Sequence, residues 1–313
     1  MTTIHAPQRL LLTGLQKLTR AIAARRGLRP YFWKYIVMLR EYYSRVSPPW
    51  ELPSSYEDGI KITTSLSSHI ESQIFWQGFQ EADEGTINYL KSHLPENGVF
   101  IDIGANVGTF TLVGAKLARH GMVHAFEPSE YHFQRLSRNI AMNGFKNVHL
   151  NKLGLFDKDT EASLFLPMKA GKMSNTGAAS LFRHGQDVSD TVERVRLIRL
   201  DDYVETHGLE RIDLIKVDIE GAELNALGGA RTSLKKFRPI VLMELDVDIL
   251  ERAGYTPSQV FDFWKDMDYR VQHIHNSGDT RGISDESELS AHQNIACLPV
   301  KATSVRRDKK QST

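Results

Sequence analysis

Val99-Phe100-Ile101-Asp102-Ile103-Gly104-Ala105-Asn106-Val107-Gly108-Thr109-Phe110 passes from an apolar, β-branched run through two spaced glycines into residues of helical periodicity. The succession reads as strand, tight turn and helix, a unit on which α/β domains bind nucleotide-like ligands. Gly104 and Gly108 carry no Cβ, so a ligand can approach the backbone and the helix can approach the strand. The amides at the helix start lack intrahelical partners and suit a carboxylate or phosphate. Asn106 tolerates left-handed geometry better than most residues. The same turn with no ligand is the competing reading. A dinucleotide fingerprint needs Gly at its first, third and sixth places, whereas positions 104, 106 and 109 are Gly, Asn and Thr. A phosphate loop would end in Gly-Lys-Ser/Thr, which is missing here, so ATP and GTP are not expected.

Outward from this stretch, short β-rich runs alternate with helical periodicity, the pattern of a parallel sheet covered by helices. Strands are expected at Val99 to Ile103, Met122 to Phe126, Val148 to Lys152, Val195 to Leu200, Ile212 to Val217, Ile240 to Leu245, Tyr269 to Ile274 and Ile295 to Val300. Helices are expected near Thr109 to Arg119, from Glu130, over Ala222 to Lys236 and after Pro257. Residues 154 to 190 break the rhythm, with a hairpin expected over Leu155 to Leu166 and then a polar stretch through Asn175, Gly177 and Gly185. Ser277 to Ser290 reads as a loop, and no internal repeat is visible.

The chain has 313 residues, 41% hydrophobic and 25% charged, enough for one large α/β domain with an extension. A lone cysteine, Cys297, cannot form an intrachain disulfide, and no apolar run reaches the roughly 18 residues of a membrane span. A cytoplasmic protein, at most peripheral to a membrane, is expected. Residues 1 to 50 carry nine basic groups against Glu41, a net +8, and the segment from Lys301 carries five against Asp308, a net +4. With a total of +1, the body between them is acidic, at −11. The basic ends suit an anionic membrane surface or polyanion, or are simply solvated. The organisation expected is a basic, mainly helical extension over 1–70, the α/β domain over 71–300 and a basic, disordered tail over 301–313.

Several side chains could carry chemistry. Glu127, at the end of the second strand, is placed to accept hydrogen bonds from a ribose diol. The block Lys216-Val217-Asp218-Ile219-Glu220-Gly221-Ala222-Glu223 ends another strand on the side of the sheet where ligands collect. A carboxylate or histidine there could remove a proton from a hydroxyl: Glu220 is the first candidate, Asp218 the second and His292 the alternative. Glu220 and Glu223 also suit a helix start, where acids are favoured. Glu244 ends the neighbouring strand and, with Asp218, could hold Mg²⁺. No further ligand pattern accompanies that pair, and no metal is expected.

Six segments together resemble the FkbM-type S-adenosylmethionine-dependent methyltransferases: D-I-G-A-N-V-G at 102–108, A-F-E-P at 125–128, N-T-G-A-A-S at 175–180, L-D-D at 200–202, I-D-L-I-K-V-D-I-E-G-A-E at 212–223 and H-Q-N-I-A-C-L-P at 292–299. They run in the family's order over roughly two thirds of the chain, and residues 1–70 have no counterpart. The resemblance implies a Rossmann-like class I methyltransferase fold with a seven-stranded, mostly parallel sheet and helices on both faces. It also implies an S-adenosylmethionine cofactor and O-methylation of a sugar, polyketide or related natural product. The acceptor expected is a small molecule or glycan; nucleic acid is not expected. Under this reading the backbone of Gly104, Ala105, Asn106 and Gly108 faces the donor's amino-acid part, and Asp102 orders the turn. Glu127 and Pro128 lie at the ribose, Leu155 and Asp157 at the adenine, and Asp218 beside the donor. Glu81, in a Gly-x-x-Glu step from Gly78 ahead of the first strand, would be a further donor contact. Asn175, Gly177, Ser180, Glu244 and Asn294 would shape the acceptor pocket. The alternatives are a catalytically retired scaffold tethered to an anionic surface by the basic arm, and a nicotinamide-dependent oxidoreductase.

Overall fold

A computed structural model describes residues 6–25, 27–47, 50–169, 172–173, 179–182 and 189–300. Asn175, Gly177 and the segment 301–313 lie outside them. The chain starts with two helices, α1 (Ala6–Ala23) and α2 (Arg29–Val46), the second opened by Pro30 in its first turn, where the missing N–H costs nothing. Leu12 and Ala23 of α1 and Ile36 of α2 face inward. A hairpin of β1 (Glu51–Tyr56) and β2 (Ile60–Ser65) follows, then α3 (His69–Gln77) and α4 (Glu84–His93). Phe75 and Trp76 of α3 share a core with Leu12, Ile36, Leu52 and Leu66. Residues 1–70 therefore contain a hairpin as well as helices. An ion pair buried from water fastens this layer to the rest: Arg135 donates to both oxygens of Glu71, whose carboxylate also accepts from the Ser65 amide at 2.7 Å.

The α/β body then runs β3 (Val99–Ile103), α5 (Thr109–Leu117), β4 (Met122–Phe126), α6 (Glu130–Asn143) and β5 (Val148–Asn151). Next come β6 (Gly154–Leu155), β7 (Thr160–Lys169), β8 (Lys172–Met173) and β9 (Ser189–Ile198). These four form a separate sheet in the order β6-β9-β7-β8. The hairpin expected over Leu155 to Leu166 is not formed, because β6 pairs parallel with β9 and β7 pairs antiparallel with β9 from the other side. The partner of Gly154 is Leu197, more than forty residues on in sequence and out of reach of any local reading.

The remainder comprises α7 (Leu200–Thr206), β10 (Leu214–Val217), α8 (Glu223–Gly228), α9 (Arg231–Phe237) and β11 (Ile240–Asp246). It continues through α10 (Val247–Arg252), α11 (Pro257–Asp266), β12 (Tyr269–Ile274), β13 (Thr280–Ile283) and β14 (His292–Pro299). One helix expected over Ala222 to Lys236 is two. At Gly229 any Cβ would sit 1.9 Å from the Phe156 carbonyl oxygen, and Asp201 caps the second piece through the amides of Thr232 and Ser233 at 3.0 and 2.8 Å. The main sheet has eight strands in the order β13-β12-β14-β11-β10-β3-β4-β5, one more than expected. The extra edge strand, β13, falls in the stretch read as a loop; Ile283 is its one buried residue, so its sequence carries no alternation to announce it.

Strands β11, β10, β3, β4 and β5 are mutually parallel, and β14 runs antiparallel between β11 and β12. Alternate residues feed two cores: Ile101, Ile103, Ile215 and Val217 face one side, Phe100 and Leu214 the other. The chain builds outward from β3 to β5 and then returns to lay β10 on the opposite flank of β3. A crevice opens where the strand order reverses, at the carboxyl ends of β3 and β10.

Candidate active site

A cavity of about 480 Å³ occupies that crevice. The turn at its floor is built as the sequence suggests, since Gly104, Asn106 and Gly108 have φ of +82°, +50° and +99°. A Cβ on Gly104 would lie 2.0 Å from the Asp218 carbonyl oxygen, and one on Gly108 2.7 Å from Leu136 Cδ1. The first amides of the turn do not point into the cavity. Those of Gly104 and Ala105 both donate to the Phe126 carbonyl at 3.0 Å, and that of Asn106 donates to Glu127 Oε2 at 2.8 Å. The turn folds under the end of β4 and spends these donors there. The expectation that they receive a ligand carboxylate is thereby corrected: the cavity meets bare backbone at Gly104 and Ala105, and helix-start amides begin at Thr109.

Glu127 is buried in the wall, its second oxygen accepting from the Ser129 amide at 2.9 Å, and burial lifts it to about 7 against those two hydrogen bonds. Beside it stands His132, lowered to about 3 by burial and then by Arg135, hence neutral. Its Nε2 has no hydrogen-bond partner in the structure, and the residue lines the cavity. Phe126, Pro128, Gly154, Leu155, Leu164 and Leu197 make this end apolar. Asp102 lies beneath, accepting from Thr111 Oγ1 at 2.5 Å, so it ties the strand to the helix after the turn and does not line the cavity.

The other end is charged. Lys216, nearly buried, donates to Asp218 Oδ2 at 2.7 Å and lies 4.7 Å over the Phe110 ring. Burial would pull its pKa down, but Asp218, Asp102 and Asp83 outweigh it and hold the ammonium above its ordinary value. Register carries Glu244 alongside Asp218, one step past the Val217–Met243 pair. The Asp218 carboxylate, and then burial, push Glu244 far up, so Glu244 keeps the proton the pair shares. His292 bridges outward from this pair, with Nε2 3.1 Å from Glu244 Oε1 and Nδ1 3.4 Å from Asp246 Oδ2. Its side chain is 47% exposed, so it stands between these half-buried carboxyls and water. Glu220, on a bend with φ of +55° stabilised by a Ser180 Oγ hydrogen bond to its carbonyl at 2.6 Å, also lines the cavity. Burial, then Asp218, raise it to about 8. Glu223 turns back to accept from the Ile219 and Gly221 amides, so it braces its own loop.

Of the residues singled out from sequence, Gly104, Ala105, Asn106, Glu127, Pro128, Leu155, Asp218, Glu220, Glu244 and His292 come together on this one cavity. Others do not reach it. Glu81 accepts from Arg40 and Gln77, at 3.2 and 3.1 Å, and so faces the N-terminal layer. Asp157 accepts from Asn225 at 3.2 Å on the rim beyond Leu155. Ser180 and Asn294 act one step back, Ser180 on the Glu220 backbone and Asn294 by donating to the Ala82 carbonyl at 2.9 Å. That last bond holds the segment in front of α4 against β14 and brings in Asp83, which sequence reasoning missed. Burial, opposed by Lys216, lifts Asp83 to about 7. Gln73 and Gln80 were missed for the same reason; their placement depends on packing of the N-terminal layer. Lys216 did carry a signal, a lysine inside an otherwise apolar strand. Among the described residues, no group of three or more His, Cys, Asp or Glu could hold a metal ion.

A model of the methyltransferase FkbM domain matches residues 102–271, more than half of the chain and all of the cavity wall from Ile103 to Leu155. The chain belongs to the FkbM methyltransferase family. Methyltransferase sdnD of Sordaria araneosa is 32% identical to it over 166 residues, 44% of this chain and 62% of sdnD. Hexuronic acid methyltransferase AglP of Haloferax volcanii is 25% identical over 186 residues, 57% of this chain and 66% of AglP. The 31-O-demethyl-FK506 methyltransferase FkbM of Streptomyces tacrolimicus is 28% identical over 173 residues, 48% of this chain and 66% of that protein. The chain thus spans less than two thirds of the length of each of these relatives. In family terms the matched segment supplies the glycine turn, Glu127 and the Asp218–Glu220 bend, while His292 and the α3 wall lie outside it.

Proposed function

We propose that this FkbM-family protein is an S-adenosylmethionine-dependent O-methyltransferase acting on a hydroxyl of a small polyhydroxylated or glycan acceptor. The observation that carries the reading is one cavity with two unlike ends. The donor fits the first end on its own terms. At Gly104 there is no room for a Cβ, so only bare backbone can face a ligand, and the unpartnered His132 Nε2 stands beside Glu127 where ribose hydroxyls need partners. Phe126, Pro128, Leu155 and Leu197 would hold the adenine, and Asp83 and Lys216 are the charged groups available to the ammonium and carboxylate of its amino-acid part. When bound, the donor supplies a methyl group already activated on a sulfonium, so positioning and exclusion of water are the protein's main tasks.

The second end suits the acceptor. A hydroxyl oxygen loses its proton as its new bond to carbon forms, and a carboxyl within reach can take that proton. Asp218 is the acceptor of that proton, Glu244 shares it, and His292 passes it to water. Glu220, raised to about 8, is the second base and is matched to alkaline conditions. Carboxyls are also strong acceptors for sugar hydroxyls, and AglP, named for a hexuronic acid, and FkbM, named for an oxygen position, agree with an oxygen acceptor.

Calorimetric titration of the folded protein with S-adenosylmethionine and with S-adenosylhomocysteine tests the donor half, and absence of heat with both would end the proposal. Transfer of labelled methyl to hexuronic acids and other polyols tests the acceptor half. Glu244→Gln should lower turnover by about 10²-fold while leaving donor affinity within a few fold. Full turnover in that variant removes the carboxyl pair from the proton path.

A further inference from the structure

Ten of the fourteen large hydrophobic side chains that stand exposed among the described residues lie between Leu10 and Val46. They are ordered. On α2, Tyr31, Tyr35, Met38 and Tyr42 recur at spacings of four, three and four, one continuous stripe along the helix, and all are more than half exposed. On α1, the exposed Leu11 and Leu18 are seven residues apart on one face, about 100° around the helix from the buried Leu12 and Thr19, with Leu10 also exposed. Five basic residues of these helices and their connection are exposed, namely Arg9, Lys17, Arg25, Lys34 and Arg45, against one exposed acid, Glu41.

The inner faces are already committed. Arg20 donates to the Phe75 and Ile74 carbonyls at 2.9 and 2.6 Å, and Arg40 reaches Glu81, so both helices are pinned to α3 and the segment after it. With α1 and α2 both seated on α3, their apolar stripes turn away from the body. No helix among the described residues is long and apolar enough to cross a membrane. Basic and aromatic residues interleaved on an apolar face, without a spanning segment, are the composition of a helix that lies in the headgroup layer. A second copy of this face would bring like charges together, and a purely polyanionic partner would leave the tyrosines, leucines and methionine exposed.

We propose that α1 and α2 together form a docking surface for an anionic phospholipid bilayer, lying on it without crossing it. The inference is independent of the methyltransferase reading. Full-chain protein is floated with vesicles of phosphatidylcholine alone and of phosphatidylcholine with phosphatidylglycerol. The expected result is flotation with the second kind, weakened as salt is raised. The double variant Tyr35→Asp, Met38→Asp changes only exposed positions and should lower that partitioning by at least about tenfold with its melting temperature and donor affinity retained. Leu11→Asp, Leu18→Asp on the other helix should act in the same direction. Failure to float overturns the proposal, as does flotation that neither double variant alters. So does heparin binding in place of vesicle binding, or a wild-type dimer in size-exclusion chromatography that the Met38 variant converts to monomer.

Discussion

Gly104→Ala tests the central contact of the fold, the crossing of the glycine turn beneath the end of β10. At φ of +82° an L side chain costs about 1 to 2 kcal/mol. The new Cβ would sit 2.0 Å from the Asp218 carbonyl oxygen and 2.8 Å from Ile219 Cγ2, and the first of these is backbone, so the chain itself must shift by about 1 Å. Overpacking of this kind costs a further 1 to 3 kcal/mol or so. The sum, about 2 to 5 kcal/mol, should lower the melting temperature by roughly 3 to 8 °C in a chain of this size. Gly144→Ala is the control, because Gly144 also has a left-handed φ, +69°, but a Cβ there meets nothing within 4 Å. It should show the conformational cost alone. The displaced carbonyl belongs to the Asp218–Glu220 bend, so Gly104→Ala should also weaken S-adenosylhomocysteine binding in calorimetry, and Gly144→Ala should not. If the two variants melted together, or Gly104→Ala bound as tightly as wild type, the close crossing would not be what holds this site.

Glu71→Gln leaves the Arg135 guanidinium buried with half of its bidentate partner gone, and should destabilise the protein by about 3 to 5 kcal/mol in denaturant unfolding; a loss under 1 kcal/mol would show the pair to be dispensable. The pH dependence of the donor-free protein should be inverted above neutrality. Glu127 and Asp83 at about 7 and Glu220 at about 8 are raised above their unfolded values, so the stability they contribute is present below about 4.5 and lost as pH rises through 7 to 8. His124 and His132, lowered to about 4 and about 3, act oppositely, costing stability as pH falls below about 6.5. Between about 4.5 and 6.5 the three carboxyls outweigh the two histidines, so the melting temperature should be highest near pH 4.5 and decline toward pH 8, most steeply between about 6.5 and 7, with Glu220→Gln flattening the upper limb. A curve that rises over that interval contradicts the burial of these carboxyls.

The sheet was legible where strands are dense in Val and Ile and end in a glycine turn, as at β3 and β10, because burial on both faces leaves a near-continuous apolar run. It was illegible at β13, whose Thr280-Arg281-Gly282-Ile283 has one buried side chain, and at β6, whose partner is distant in sequence. The apolar half of the cavity was readable for a related reason. Gly104, Glu127 and Leu155 are each fixed by the strand they end, so strand order alone brings them together. Asp83, Gln73 and Gln80 belong to a layer that packs on the body through Arg135, Arg40 and Asn294, and only that tertiary packing aims them inward. Glu81 shows the converse: the right residue type at a familiar spacing, claimed by Arg40.

Strand β14 joins the parallel half of the sheet to the hairpin of β12 and β13, which among the described residues has no other strand partner. Vectorial synthesis therefore delivers residues 269–283 before the β14 ladder that holds them. Until His292 to Pro299 leave the ribosome, the flank of β11 is open and Glu244 and Asp246 lack their imidazole neighbour. In a nascent chain the apolar end of the cavity can therefore be complete while its charged end still lacks a wall.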